Sequence, residues 1–593
     1  MNKLEIIKGR LIFKSVIFTL VILLLGSFFY ISKISFGNEK RFPKAIIIMI
    51  DGATWDVIDA LIEKNKLPNM KKLMSTGSYG KLLSAPVMVS PLIWTSIATG
   101  KKSEKHGIND FLYVNWEEPT KFIPLNSSHR KTKAIWNILS EKELKVGIVG
   151  WVITWPAEEV NGFVISNRPF EKNGATYPEW LINKLRSEGY LKNEKFTMKD
   201  VQKIMGLEED AAEEVLKICR EQWKDKNIDI IDVPIMLSQY TADKFYLDCS
   251  TYLLKNFDID FLAVGFRGTD HVGHLFWKYM VGKEDIFSST QRERQIFGDI
   301  VDSFKDIIRN YYCWVDEAIG RILEFSGPNT NIIIVSDHGM KFDHPNIYTT
   351  AQQMNELLEI LGFLKFKPGT KDIDFSQTKI YDGFYLLGKG SGRFCINVKG
   401  RHPQGIVEQE DYPILQKELK QALESIKVKG KNIFTNFIFK ELNLLSEENK
   451  EGFLTGDIKL NFRADLLKDS KIEIQGKIYE GNSFIKENII SGSHDKFGIL
   501  IWKGPNVKKN NRDDRYCYLD IIPTLLYALN QPIAEDMDGE IMLRLFAREF
   551  LDKMPITSIS SYDNQGILSI DRPTESTTDD LIIKRLKSLG YIQ

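Results

Sequence analysis

Three carboxylates stand just beyond short apolar runs. Asp51 follows AIIIMI (45–50), Asp270 lies four residues past FLAVGF (261–266), and Asp337 with His338 follows NIIIVS (331–336). Histidine is scarce, 8 in 593 residues, so each placement can be weighed. Asp270 and His274 are spaced i,i+4, which puts both side chains on one helical face, and His494 precedes the run GILIW (498–502). Carboxylate and imidazole donors together suit a divalent transition cation, Zn²⁺ first, with Mn²⁺ or Fe²⁺ as alternatives. Two ligand sets result: Asp51, Asp337 and His338 for one cation, and Asp270, His274 and His494 for another. Ser90 opens SPLIWTSIATG (90–100) and reads as a helix N-cap followed by Pro91 at the first helical position. Free N–H groups at such an end receive an anion such as phosphate. A serine hydroxyl held there by a cation ionises near neutral pH and becomes a nucleophile. The plainer alternative is that Ser90 only caps its helix.

The apolar runs, with VGIVGWV (146–152), are continuous rather than alternating, as strands covered on both faces must be. Helical patterns fall between them at 55–64, 68–74, 133–141 and 312–325. This rhythm predicts an α/β fold, a doubly wound, mostly parallel sheet flanked by helices. Such sheets bind ligands outside the carboxyl ends of their strands, where the three aspartates lie. Two long stretches, 170–245 and 346–490, interrupt the rhythm and read as insertions capping the core. The core then comprises 41–169, 246–345 and 491–550, and residues 551–593 form a C-terminal tail.

Lys and Arg together number 79, as do Asp and Glu, so the formal net charge is zero. That removes the basic footprint of a nucleic-acid binder, and no nucleic-acid partner is expected. Five scattered cysteines form no CxxC pair and argue against a disulfide framework. SVIFTLVILLLGSFFYIS (15–32) carries no charge, and Lys3, Lys8, Arg10 and Lys14 precede it. As a helix it would be about 27 Å long, close to the ~30 Å hydrocarbon layer. The basic flank predicts a single-pass anchor in residues 1–40, with the remaining chain on the extracytoplasmic side of the bilayer.

The strings DGATWDVID, SPLIWTSIATGKKSEKHGINDF, TDHVGH, SDHGM, SGSHDKFGILIWKGP and YLDIIPTLLYALNQPIAEDMDGE resemble the alkaline phosphatase superfamily. The likeness is strongest to its type I phosphodiesterase/nucleotide pyrophosphatase branch, and INVKGRHPQGIV (396–407) is similar to a stretch of prokaryotic members. The resemblance implies two divalent cations. It assigns Asp51, Ser90, Asp337 and His338 to the cation that holds the nucleophile, and Asp270, His274 and His494 to the second. It also implies a covalent intermediate on Ser90, later hydrolysed by water. Nucleotide pyrophosphatases commonly carry Thr where Ser90 stands and Asn where Ile93 stands; the second departure counts against a nucleotide substrate, and Asn109 or Arg267 either compensates for the missing phosphate contact or is a structural residue. The expected activity is a membrane-anchored phosphodiesterase acting on a phosphodiester-containing small molecule, lipid or glycan. The alternatives are a phospho-group transferase of the cell envelope and a non-catalytic binding protein with the same fold. His106 reads as a structural histidine at a helix end.

Overall fold

A computed structural model describes residues 41–593 except 115–121, 191–195, 225–231, 345–346, 349, 383–390, 440, 443–456, 463–469, 485, 488–489, 565–575, 577, 581 and 584–593. The expected anchor and most of the last nineteen residues lie outside the described residues. Among the described residues no helix is long and apolar enough to cross a membrane.

The principal strands are β1 (Ala45–Ile50), β2 (Ser78–Leu83), β3 (Val146–Val149), β4 (Gly162–Ile165), β5 (Phe261–Phe266), β6 (Asn331–Val335), β7 (Gly339–Phe342), β8 (Gly492–Asp495) and β9 (Phe497–Lys503). One sheet carries the order β2-β9-β6-β1-β5-β3-β4, with short strands at both edges. β1 lies at its centre, parallel to β5 and β6, and every β1 residue is fully buried. Ile46, Ile48 and Ile50 point into one hydrophobic cluster, whereas Ala45, Ile47 and Met49 point into another. The strand is apolar at every position because helices cover both faces of the sheet.

One expectation needs correction. The run 498–502 belongs to β9, which pairs antiparallel with both β2 and β6. Being reversed, β9 begins at the edge where β1, β5 and β6 end. That reversal places His494, which precedes β9, beside the aspartates that follow the other strands.

The helices that matter to the site are α1 (Ser90–Thr99), α2 (Asp232–Asn256), α3 (Gly268–Met280) and α4 (Ile307–Leu323). The described residues between 180 and 224 form three helices whose Leu181, Leu185, Val201, Ile204 and Val215 enter the same cluster as Ile46 and Ile48. The described residues between 351 and 484 gather a separate hydrophobic cluster, from Met354 to Phe484, around short antiparallel strands. All five cysteines are free thiols.

Candidate metal centre and nucleophile

The site is assembled at the carboxyl edge of the sheet. Asp51 leaves β1 and its backbone N–H donates to Phe266 O of β5 at 2.9 Å. The next residue, Gly52, adopts φ +66 and packs so tightly that a Cβ there would lie 2.8 Å from Asp270 Cα. Only glycine permits both the left-handed backbone and this approach. Gly52 N–H donates to Asp337 Oδ1 at 3.3 Å. Ser336 Oγ accepts from Ala53 N–H at 2.8 Å and donates to His338 O at 2.7 Å, which ties the end of β6 to the end of β1.

α3 carries Asp270 in its first turn and His274 one turn later. Asp243 of α2 holds the start of that helix, accepting from Gly268 N–H at 2.8 Å, Arg267 N–H at 3.1 Å and Tyr311 Oη at 2.9 Å. Gly268 is required there, because a Cβ would collide with the Tyr311 hydroxyl. His494 sits on β8, which pairs with β7 so that Met340 faces His494. Gly492 of the same hairpin packs onto Gly273 O of α3, with no room for a Cβ.

All seven residues expected from the sequence come together, six of them buried and His494 nearly so. Asp270 Oδ1 lies 3.2 Å from His274 Nε2, 3.5 Å from His494 Nε2 and 4.0 Å from His338 Nε2. His338 Nε2 is 3.4 Å from Asp337 Oδ2 and 3.6 Å from Asp51 Oδ1. Ligand atoms of Asp270, His274 and His494 fall within 4.8 Å of one another, as do those of Asp51, Asp270 and His338. Asp270 therefore stands between the two sets rather than only in the second. Its place on α3, against Gly52, brings it up to the end of β1.

The ring orientations follow one rule. His274 Nδ1 faces Gly492 O at 2.9 Å, His338 Nδ1 faces Gly339 O at 3.0 Å, and His494 Nδ1 faces Met88 O at 2.9 Å. A carbonyl only accepts, so in each neutral ring Nδ1 carries the hydrogen and Nε2 presents a lone pair to the cluster. Two of these lone pairs, on His274 and His494, lie 3.0 Å apart. A cation between them removes the repulsion that two bare imidazole nitrogens would otherwise suffer.

The carboxylates point to the same conclusion. Burial, with Asp337 and Asp270 close by, raises the Asp51 carboxyl well above its usual range. Burial and Asp270 push Asp337 up to about 8. Burial would also raise Asp270, but with no cation bound His274 and His494 can take up a proton at Nε2 and then hold that carboxyl well below the carboxylate norm. Asp337 Oδ2 is buried without a hydrogen-bond donor among the described residues. A pit of three buried carboxylates is stable only with compensating positive charge. The donor set thus fits two divalent cations.

Ser90 differs from its sequence expectation. Val89 is the N-cap, and Ser90 is the first residue of α1, with Pro91 next. A cap hydroxyl would turn back to its own helix. Ser90 Oγ instead points across to Asp51 Oδ1 at 3.4 Å and His338 Nε2 at 3.5 Å. Two contributors escape a reading of the sequence. Trp94 Nε1 donates to Asp51 Oδ2 at 3.2 Å, fixing the second oxygen of that carboxylate. Asp243 is invisible there because it caps a helix 25 residues further along the chain. His106 is structural, as its position implies. Its Nε2 meets Ser96 Oγ at 2.9 Å, its Nδ1 accepts from Ile108 N–H, and burial with Arg130 nearby lowers it to about 3.

This arrangement is that of a metal-dependent phosphoester hydrolase. The family model of type I phosphodiesterase/nucleotide pyrophosphatase matches residues 45–460, well over half of the chain, and the chain belongs to this family. Similar solved structures include murine ectonucleotide pyrophosphatase/phosphodiesterase 5, at 13% identity and TM-score 0.43, covering 85% of this chain and 100% of that one. The human counterpart gives 13% and 0.40, covering 84% and 98%. Phosphonoacetate hydrolase from Sinorhizobium meliloti gives 14% and 0.40, covering 83% and 95%. No curated protein matches the chain.

Proposed function

We propose that the chain hydrolyses a phosphodiester through Ser90 as nucleophile and a covalent intermediate on its hydroxyl. The observation that carries this reading is the Ser90 hydroxyl aimed at Asp51 and His338, inside a cluster into which three histidines turn Nε2. Asp270, His274 and His494 would hold one divalent cation, and Asp51, Asp337 and His338, with Ser90, a second. When bound, zinc (or manganese) supplies Lewis-acid charge that lowers the pKa of a nearby hydroxyl or water and offsets developing negative charge.

The chain's own residues do the rest. α1 fixes the Ser90 hydroxyl on the cluster, and the N–H groups of its first turn, which no carbonyl of the helix can take, favour an anionic phosphoryl group at that end. Ser90 Oγ forms a bond to phosphorus as the ester oxygen of the leaving group departs with its electron pair, and the proton given up by the hydroxyl ends on that departing oxygen. Water then adds its oxygen to phosphorus and returns a proton to Ser90 Oγ as the Ser90 ester breaks. Burial excludes bulk water from the cluster and strengthens each electrostatic contact in it.

Residues 1–40 would anchor the chain in a bilayer and present the site on the extracytoplasmic side, where small-molecule, lipid or glycan phosphodiesters are available. The basic flank and the uncharged run 15–32 support this placement. The segments 170–245 and 346–490 would select the substrate, as loops over a fixed site do. The test is turnover of bis(4-nitrophenyl) phosphate by the zinc-loaded chain beside Ser90→Ala. A loss of about 10³-fold or more in the variant, with cation content retained, is expected from removal of a nucleophile. Equal rates in both would overturn the assignment.

A further inference from the structure

Arg267 is the residue of the site that the mechanism above leaves unused. β1 and β5 run parallel with Ile50 opposite Phe266, so Asp51 and Arg267 leave the sheet side by side. Thr269 Oγ1 donates to Asp51 O and holds the two chain segments together. Arg267 is also the residue immediately before α3, three positions from Asp270.

Among the described residues Arg267 makes no ion pair, and its Nε is buried without a hydrogen-bond partner. The carboxylate that its own backbone meets is otherwise engaged: Asp243 already accepts from Gln239 Nε2 at 2.6 Å, from the Arg267 and Gly268 backbone N–H groups, and from Tyr311 Oη. The fully buried arginines behave differently. Arg130 meets Glu158 at 2.7 Å, Arg168 meets Asp579 at 2.8 Å, and Arg401 meets Asp457 at 2.5 Å. Holding a half-desolvated guanidinium without an anion is costly unless a ligand supplies one.

We infer that Arg267 receives an anionic non-bridging oxygen of the substrate's phosphoryl group, on the side of the site formed by the ends of β1 and β5. The inference rests on the phosphodiesterase reading and names the protein group that grips the phosphate. A guanidinium suits the role because its planar fork matches two phosphate oxygens, whereas an ammonium offers only a point charge. Asp243 serves it indirectly. By taking the Arg267 backbone N–H, it fixes where the side chain departs from the start of α3.

The test uses the full zinc-loaded chain with Arg267→Ala and Arg267→Lys, and inorganic phosphate as the probe in titration calorimetry. Metal content, melting temperature and the kinetics of bis(4-nitrophenyl) phosphate cleavage are measured on the same samples. Arg267→Ala is expected to bind phosphate about 10- to 100-fold more weakly, the size of one charge-assisted hydrogen bond, and to lose kcat/KM by a similar factor with both cations retained. Arg267→Lys should recover part of the binding. Phosphate affinity within about 2-fold of the parent would overturn the inference, as would a loss that only follows loss of metal. A parent that binds phosphate through Arg267 yet cleaves no diester would refute the reaction while sustaining the anion site. Cleavage that is indifferent to Arg267 would do the reverse.

Discussion

Replacing Gly52 by alanine tests whether the close approach of β1 to α3 sets the cation spacing. The new Cβ would lie 2.8 Å from Asp270 Cα, 2.9 Å from Asp270 Cβ and 3.1 Å from Asp270 Oδ1. Carbon atoms prefer about 3.5–4.0 Å, so the two segments must separate by roughly 0.7–1.2 Å. The residue also keeps φ +66, which costs an alanine about 1–2 kcal/mol. Ligand atoms of Asp51, Asp270 and His338 now share a span of 4.8 Å, and metal–ligand distances tolerate shifts of only about 0.2 Å. An opening near 1 Å should release a cation and lower diester turnover by about 10²-fold. Gly282→Ala is the control. Gly282 has φ +63 and open space for 4 Å around the position its Cβ would take, so it bears the backbone cost alone and should keep both cations. Elemental analysis, thermal melting and diester cleavage of the two variants decide the matter. A Gly52→Ala protein with two cations and turnover within about 3-fold of the parent would refute the spacing argument.

Two further outcomes follow from the same geometry. Without metal, Asp337 titrates near 8 in the folded protein against 3.8 ordinarily, and Asp51 is raised in the same sense. The folded state then holds protons that the unfolded chain has lost, so stability is full below 3.8 and falls as the pH rises through about 8. Melts of chelator-stripped chain at about pH 5 and about pH 8 should show that decline, and zinc loading should abolish it; a stripped chain more stable at the higher pH would contradict it. Trp94→Phe deletes the donor to Asp51 Oδ2, leaving that oxygen without its 3.2 Å partner. Zinc affinity measured against a chelating dye should drop about 10-fold, and an unchanged affinity would show that the indole contributes only packing.

The sequence discloses the site more readily than the architecture around it. Asp51 and Asp337 are legible because strands buried on both faces are apolar almost throughout, so a carboxylate directly after the run marks the functional edge, whereas Asp270, four residues past its run, is legible only with His274. His274 is legible through its i,i+4 spacing from Asp270. The direction of β9 is not. A central strand reads the same in either direction, and only its pairing with β2 and β6 shows the reversal that delivers His494. Ser90 is recognisable as a hydroxyl at a helix start, but the expected role as cap is wrong by one residue. Proline is accepted at either of the first two positions, so the motif does not fix the boundary. Trp94 looks like one more core aromatic, since all ten residues of α1 are buried. Asp243 lies in a helix with little amphipathic pattern, and its partners come from α3 and α4, which no local reading connects.

The central claim is that Ser90 attacks phosphorus within a two-cation centre. Rapid acid quenching of the zinc-loaded chain during turnover of a slow aryl phosphodiester, followed by peptide mass analysis, addresses it directly. The account predicts an aryl phosphoryl adduct on the peptide containing Ser90, absent from Ser90→Ala. An adduct on another side chain, or an unmodified Ser90 while Ser90→Ala still turns over, would contradict it.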